Sequence, residues 1–514
     1  MGVSRWHHPI WNRSLTRSFA ATTINSSCHF GSVGRVAGES GTIANQSGGV
    51  DLSGEFDVVV IGGGNAALVA AMSARHHVKR VLVLERAPYM VRGGNTRHTR
   101  NVRCVHQDGD AFNTGSYLHD ELWDDLCNIG SGPSDERLAE LTVRESESVP
   151  AWMSEHGVLW QAPLSGTLHL GRTNRFFLGG GKALLNSYYR TLSAMAIGVS
   201  YNSSVEGFVD SGDSITDLIV DIDGRRRQIK ARAVVCASGG FEANFDWLAR
   251  YWGDSAYNYL IRGPVYNDGT VLSLLYDLDA AHAGQERGFH AVAIDARSPR
   301  YDGGIATRID AIPFSVVLNC HGERFYDEGE DLWPKRYAIW GANIALQDNQ
   351  IAYAIWDSKV NREFLPPMYG PTSSMTLTGI GEALGLDSER LVRTITAYNS
   401  AIVPGITFDP TRLDGAHTSG LMPEKSNWAQ PIDTPPYYAI AMRPGITFTY
   451  MGVKVDSNAR IQREDGSAFA NVFAAGEIMS GNVLSSGYLA GFGLTIGTVW
   501  GRIAGRESAR CANG

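Results

Sequence analysis

Phe56-Asp57-Val58-Val59-Val60-Ile61 runs without a break into Gly62-Gly63-Gly64-Asn65-Ala66-Ala67, and this junction constrains the fold more than any other part of the chain. Its first half is short, apolar and β-branched, as suits a strand buried on both faces of a parallel sheet. Its second half has the GxGxxA form of a dinucleotide-binding turn. Gly62 permits the tight turn, Gly64 lets backbone approach a pyrophosphate, and Ala67 allows close helix packing. The alanine-rich stretch from Ala66 to Ala74 supplies the helix whose free N–H groups and positive dipole end would face that anion. A second strand, Arg80-Val81-Leu82-Val83-Leu84, ends on Glu85, about 20 residues past Gly64, where an acid reaches ribose hydroxyls and disfavours a 2′-phosphate. A glycine fingerprint alone is weak, but strand, turn, helix, strand and acid in that order are specific.

The chain of 514 residues holds roughly three domain-equivalents of ~150 residues, which excludes a small binding module. With 43% hydrophobic and 19% charged residues it is not a disordered chain. A net charge of −8 provides no positive field for phosphate backbones, so nucleic acid is not an expected partner, and an anionic substrate must be drawn in locally. The six cysteines form no CxxC pair, so neither a disulfide framework nor a metal site is expected, and a reducing compartment fits. The 58 glycines exceed the ~7% of average usage and call for a backbone role.

Residues 1 to 54 read as an N-terminal extension. Arg5, Arg13, Arg17 and Arg35, several serines and no acid before Glu39 give residues 1 to 38 the composition of a transit peptide, against the alternative of an unstructured tail. Mitochondrial import is the expectation, cytoplasmic residence the fallback. A secretory signal is disfavoured because Trp6 to Phe19 is broken by His, Arg, Asn and Ser, and Ser40 to Gly54 reads as a linker. The uncharged stretch Asn482 to Trp500 is long enough to span a membrane, but Gly487, Gly491, Gly493 and Gly497 suggest close backbone packing, so no transmembrane segment is expected.

Three further motifs accompany the opening one: Gly93-Gly94-Asn95-Thr96, Ala237-Ser238-Gly239-Gly240-Phe241 after the strand Ala233 to Cys236, and Val472-Phe473-Ala474-Ala475-Gly476-Glu477. Together they resemble the FAD-binding pattern of the fumarate reductase, succinate dehydrogenase and 3-ketosteroid dehydrogenase flavoprotein superfamily. Within it, Gly93 to Asn101, Phe176 to Leu184, Gly322 to Asp331 and Gly487 to Gly493 resemble FAD-dependent tricarballylate dehydrogenase. The similarity covers residues 55 to about 508. It implies an α/β fold: a discontinuous Rossmann-like FAD-binding domain at 55–288 and 441–514, with an α/β substrate-capping domain inserted at 289–440. Combined with the motif reading, it assigns FAD to Gly62, Gly64, Asn65, Ala66, Glu85, Arg86, Gly94, Asn95, Thr96, Gly181, Ala237, Ser238, Gly239, Asp268, Gly476 and Glu477. Gly493, Leu494 and Thr495 would start a final helix aimed at the flavin.

The resemblance further implies hydride transfer from tricarballylate to flavin N5, giving cis-aconitate. Three carboxylates require several fixed cations, and arginine binds carboxylate through two parallel hydrogen bonds while staying charged. Arg97, Arg308 and Arg443, with His290, are the candidate substrate ligands, and Arg100, Arg172 and Arg175 are also in view. For any one arginine a solvated surface role is the competing reading. Arg336 lies in a segment resembling the one that carries the proton-donating arginine of fumarate reductases, though its spacing from Arg324 is longer here. Tyr488 and His98 are the other candidate catalytic groups; Tyr488 stands where fumarate reductases place a carboxylate-binding arginine. Two alternatives remain open: an FAD-dependent desaturase or ene-reductase of another substrate (fumarate/succinate-like, 3-ketosteroid-like or from secondary metabolism), and a flavin-binding partner subunit without catalysis. The electron acceptor would be oxygen, a quinone or an iron–sulfur partner protein, since the chain has no Fe–S cysteine pattern of its own.

Overall fold

In the computed structural model, which describes residues 50–163 and 170–514, the opening motif forms a parallel βαβ unit. Strand β1 (Glu55–Ile61) pairs with β2 (Val81–Leu84), placing Val58 opposite Val81 and Ile61 opposite Leu84, and helix α1 (Asn65–Arg75) makes the crossover. Val58, Val59 and Val60 are all fully buried, so the run shows no alternation because both sheet faces are covered. The transit-peptide reading of residues 1 to 38 lies outside the described residues.

The sheet continues in both directions. Its order is Arg460–Gln462, Ala468–Ala474, Arg225–Cys236, β1, β2 and Gly198–Ser200. Pairing is parallel from Ala468–Ala474 through to Gly198–Ser200, and an antiparallel meander of Ser203–Asp210, Ile215–Ile222 and Arg225–Cys236 extends it to eight strands. A strand from the last tenth of the chain thus lies two places from β1, across Arg225–Cys236.

The uncharged C-terminal stretch leads into a helix, Phe492–Asn513, packed on α1. A Cβ on Gly501 would sit 2.7 Å from the Ala66 carbonyl oxygen, and one on Gly505 would sit 2.3 Å from that of Ala70. Only glycine lets the two backbones approach this closely. Trp500 is fully buried on the same helix and donates its indole N–H to Thr142 at 2.9 Å. Among the described residues no helix is long and apolar enough to cross a membrane.

A second, six-stranded sheet is organised on the long strand Tyr437–Thr449. Phe289–Asp295, Ala352–Asp357 and Thr372–Ser374 pair with it antiparallel, Leu260–Ile261 pairs parallel, and Val316–Asn319 lies beyond Ala352–Asp357. One face carries the helices Leu377–Leu384 and Ser388–Ala401. The second of these buries Leu391, Ile395 and Tyr398 at helical spacing and is capped by the Asp387 carboxylate, which accepts from the Arg390 N–H at 3.0 Å. This two-sheet α/β arrangement matches the expected fold class. In register, His290 faces Phe448 at a bulge between His290 and Ala291, so the second sheet brings Phe448 to the cavity at the edge of the first and buries His290 behind it, against Tyr488.

Candidate active site

At that edge lies a long cavity, about 1420 Å³ when its open mouth is counted. Its floor is backbone. Gly62 has φ +117°, and a Cβ there would lie 2.2 Å from the Ala237 carbonyl oxygen. A Cβ on Gly63 would lie 2.0 Å from the Glu85 carboxylate, whereas one on Gly64, which lines the cavity, would make ordinary contact with Thr96 Oγ1 at 3.4 Å. Glu85 is 5% exposed and accepts from the Ala87 N–H at 2.8 Å and the Gly93 N–H at 3.0 Å. Burial pushes its carboxyl above the usual range, and those two donors pull it back. It thus braces the turn as well as lining the cavity.

The expected cofactor residues Gly62, Gly64, Asn65, Ala66, Glu85, Arg86, Gly94, Asn95, Thr96, Ala237, Ser238, Gly239, Asp268, Gly476, Glu477, Gly493 and Leu494 all line this one cavity. Two do not. Gly181 supports the loop from behind: its N–H donates to the Thr99 carbonyl at 2.8 Å, and a Cβ would lie 1.9 Å from the Thr96 carbonyl oxygen. Thr495 is fully buried and spends its hydroxyl on the Arg103 carbonyl. Arg86 and Asp268 close the rim as a 2.6 Å ion pair.

Two residues that sequence reasoning passed over, Glu242 and Arg262, complete the surroundings of the cavity together with Glu477. Glu242, fully buried, accepts from the Asn95 amide at 2.8 Å and the Asn267 amide at 2.6 Å, and Glu477 accepts from the Thr449 N–H at 3.2 Å. Burial raises both carboxyl pKa values, that of Glu477 further because Glu242 stands beside it. Asn95 Oδ1 has no partner among the described residues, and an orphan polar atom on a cavity wall calls for a ligand with a hydroxyl or amide donor. An open glycine floor, two helix N-termini and these acceptors fit a dinucleotide carrying a polyol chain. The second of them, Arg262, follows the strand Leu260–Ile261; its N–H donates to the Ile446 carbonyl, and its guanidinium donates to Gly304 O at 2.9 Å and Thr447 Oγ1 at 2.7 Å. Burial lowers its pKa to about 10, which leaves it charged at neutral pH. No motif marks it; the only sequence signal is an arginine between an apolar pair and Gly263-Pro264.

Around Arg262 the aromatic and cationic candidates separate. Tyr488 lines the cavity and stacks on His290 with ring centroids 3.9 Å apart; its hydroxyl accepts from the Gly493 N–H at 2.9 Å. His290 is 3% exposed, edge-on to Tyr337 and Phe448, and both its ring nitrogens lack partners among the described residues. Burial first, and then Arg262 and Arg308, push its pKa well down, so the ring is neutral. His98 also lines the cavity, its Nε2 2.8 Å from Asp302, with burial lowering its pKa. Arg308 is ion-paired with Asp310 at 2.7 Å and packs over the Tyr337 ring.

Other expected ligands are held elsewhere. Arg97 is tied to the Val91 carbonyl at 3.2 Å and lies 3.6 Å from Asp302, Arg443 donates to the Asn349 carbonyl at 2.9 Å, and Arg336 pairs with Glu330 at 3.0 Å; none of the three is among the residues lining this cavity. Arg172 and Arg175 are paired with Glu121 and Asp110. In each case a nearby acid or carbonyl claims the guanidinium, a partnership that spacing along the chain does not reveal.

Comparison with known proteins places these features in context. The family described as "FAD binding domain" matches residues 57–494. An NADH:fumarate oxidoreductase of Klebsiella pneumoniae (strain 342) is 24% identical over 487 residues, covering 92% of this chain but 50% of that protein, so the chain spans half the length of this relative. Among solved structures, the open form of a flavocytochrome c3 fumarate reductase superposes with a TM-score of 0.69 at 20% identity, covering 90% of this chain and 79% of that one. The 3-ketosteroid-Δ4-(5α)-dehydrogenase of Rhodococcus jostii RHA1 superposes with a TM-score of 0.67 at 20% identity, covering 89% and 97%. At these identities the likeness of structure concerns the fold.

Proposed function

The chain belongs to the FAD-binding domain family, and from that premise we propose that it is an FAD-dependent oxidoreductase acting on a CH–CH bond of an organic acid. The observation that carries the reading is His290, buried with both ring nitrogens unpartnered among the described residues, beside Arg262 and Arg308 and against Tyr488. A shell that is cationic, desolvated and incompletely hydrogen-bonded is suited to an anion.

Bound FAD supplies the hydride acceptor. The residues around it bind and polarise. Arg262, held by Gly304 and Thr447, presents a fixed positive charge to a carboxylate, which eases loss of a proton from the adjacent carbon. Neutral His290 offers one N–H donor and one acceptor nitrogen, so it can orient Tyr488 or a carboxylate, while burial and the arginines disfavour its taking up a proton. Tyr488 accepts from the Gly493 N–H and keeps its own O–H free to donate. Arg336 can act as proton donor only once Glu330 releases it.

Oxidation of tricarballylate to cis-aconitate is the finer reading drawn from the sequence. It asks for three cations. Around the site Arg308 is offset by Asp310, while Arg100 and Arg262 have no carboxylate partner among the described residues, a number that suits one or two carboxylates and favours the alternative of another acid substrate. The deciding experiment is anaerobic addition of tricarballylate, succinate or a 3-ketosteroid to the FAD-loaded protein. Bleaching of flavin absorbance by an acid supports the oxidoreductase reading and ranks the substrates; no bleaching by any of them removes tricarballylate, succinate and 3-ketosteroid as electron donors. Arg336→Lys with FAD bound tests its role: reduction slowed by orders of magnitude puts it in the mechanism, and near-normal reduction removes it. The electron acceptor in turnover would be oxygen, a quinone or an iron–sulfur protein.

A further inference from the structure

Two acids meet beside the cofactor cavity, and neither takes part in binding or polarising the substrate. Glu477 lines the cavity, and Glu242 stands next to it, fully buried. One amide nitrogen touches both: Asn95 Nδ2 donates to Glu242 Oε1 at 2.8 Å and to Glu477 Oε2 at 3.3 Å. Elsewhere around the pair, a Cβ on Gly240 would lie 2.5 Å from Glu477 Oε1 and 3.1 Å from Glu242 Oε2, so the two carboxyl groups are close enough to hydrogen-bond to each other. The other donors around them are all neutral: the Asn95 and Asn267 amides and the Thr449 and Gly240 N–H groups. None of these reaches Glu242 Oε2, which leaves the Glu477 carboxyl as the group it faces.

No cation pairs with either acid among the described residues. The charged and titratable groups on the elements packed around them are engaged elsewhere: Arg262 with Gly304 and Thr447, Arg97 and His98 with Asp302, and Asp268 with Arg86. Two carboxylates touching in a desolvated site repel, and without a cation a proton between them is what relieves the repulsion. We propose that Glu242 and Glu477 hold one proton between them when FAD is bound, and that its loss at alkaline pH loosens the cofactor. The proton makes one carboxyl the donor and the other the acceptor, leaves the wall with a single negative charge, and keeps Glu477 and Asn95 in place at the cavity. Bound FAD favours this state, because it covers Glu477 from water and brings an anionic pyrophosphate into the same cavity. Glu242, outside the lining, is a positioning residue that acts through Glu477. The shared proton is independent of which substrate the flavin oxidises. Since the bound protein holds the proton more tightly than the free protein, FAD affinity is full below the pair's pKa in the free protein. It falls as pH rises above that, about 10-fold per pH unit for one proton, until the bound pair ionises as well.

The test uses the full chain loaded with FAD. Infrared difference spectra of wild type against Glu242→Gln should show a protonated-carboxyl C=O band at neutral pH that only the wild type carries. Fluorescence of released FAD should give a wild-type affinity that weakens about 10-fold per pH unit on the alkaline side. In Glu242→Gln the amide N–H replaces the shared proton, so affinity should change by less than about 2-fold over the same range. Should that variant fail to fold, Glu477→Gln, which leaves Glu242 as the single acid, should lack the band in the same way. No band in the difference spectrum, or an alkaline loss of FAD as steep in Glu242→Gln as in the wild type, overturns the proposal.

Discussion

The two sides of the site are built by opposite means. The cofactor side is backbone and glycine: Gly62, Gly63 and Gly64 on the turn, and Gly493 at the start of the last helix. The facing side is made of large side chains, with Arg262, His290, Tyr337 and Tyr488 delivered mostly by the second sheet and the segments beside it. A side that must admit a ligand against backbone tolerates no Cβ, so its identity is fixed locally. A side that grips by charge and shape depends on which strands meet.

Substitutions should therefore fail differently on the two sides. The largest effect is expected for Gly62→Ala, whose new Cβ would meet the Ala237 carbonyl oxygen in a left-handed conformation; strain of about 3 kcal/mol should give protein without flavin absorbance and with a lowered melting temperature. Next comes Arg262→Gln, which should keep FAD bound and slow acid-dependent bleaching ~10²–10³-fold by stopped-flow spectrophotometry. Smaller again is the pH response. His290 has a folded-state pKa below its unfolded value, so its contribution to stability is full above about pH 6.5 and is lost as pH falls below that. Wild-type denaturant midpoints should drop under pH 6.5, with a slope of up to about 1.4 kcal/mol per pH unit for this ring, and His290→Phe should show the shallower slope. The smallest effect is expected for Arg443→Gln: its guanidinium holds a turn carbonyl, so bleaching should stay within about twofold of wild type. Loss of flavin in the Arg262 variant, or retention in the Gly62 variant, would dissolve the contrast between the two sides.

The same contrast explains what the sequence revealed. Strand β1, its glycine turn, Glu85 and the segments around Asn95, Ala237 and Glu477 are short-range signals with a steric or hydrogen-bonding cause, and they converge on one cavity. Gly181 and Thr495 sit one layer behind it, because a motif that marks a loop does not say which of its residues face inward. The arginines were the hard part. Arg97, Arg336 and Arg443 look like ligands from the chain alone, yet Asp302, Glu330 and the Asn349 carbonyl hold them. Arg262 carries no motif and gains its place through the pairing of Ile261 with Ile446.

The glycine seam between the last helix and α1 also bears on how the protein is made. Asn65, at the head of the nucleotide turn, donates its side-chain amide to the Leu494 carbonyl, 429 positions downstream. At ~5–20 residues per second a ribosome takes on the order of 20–90 s to cover that distance. Throughout that interval the βαβ unit has emerged without the helix that clamps it, its alanine face bare to solvent. Loading of cofactor is therefore an event of completed chains, and a nascent polypeptide stalled before Phe492 should carry no flavin.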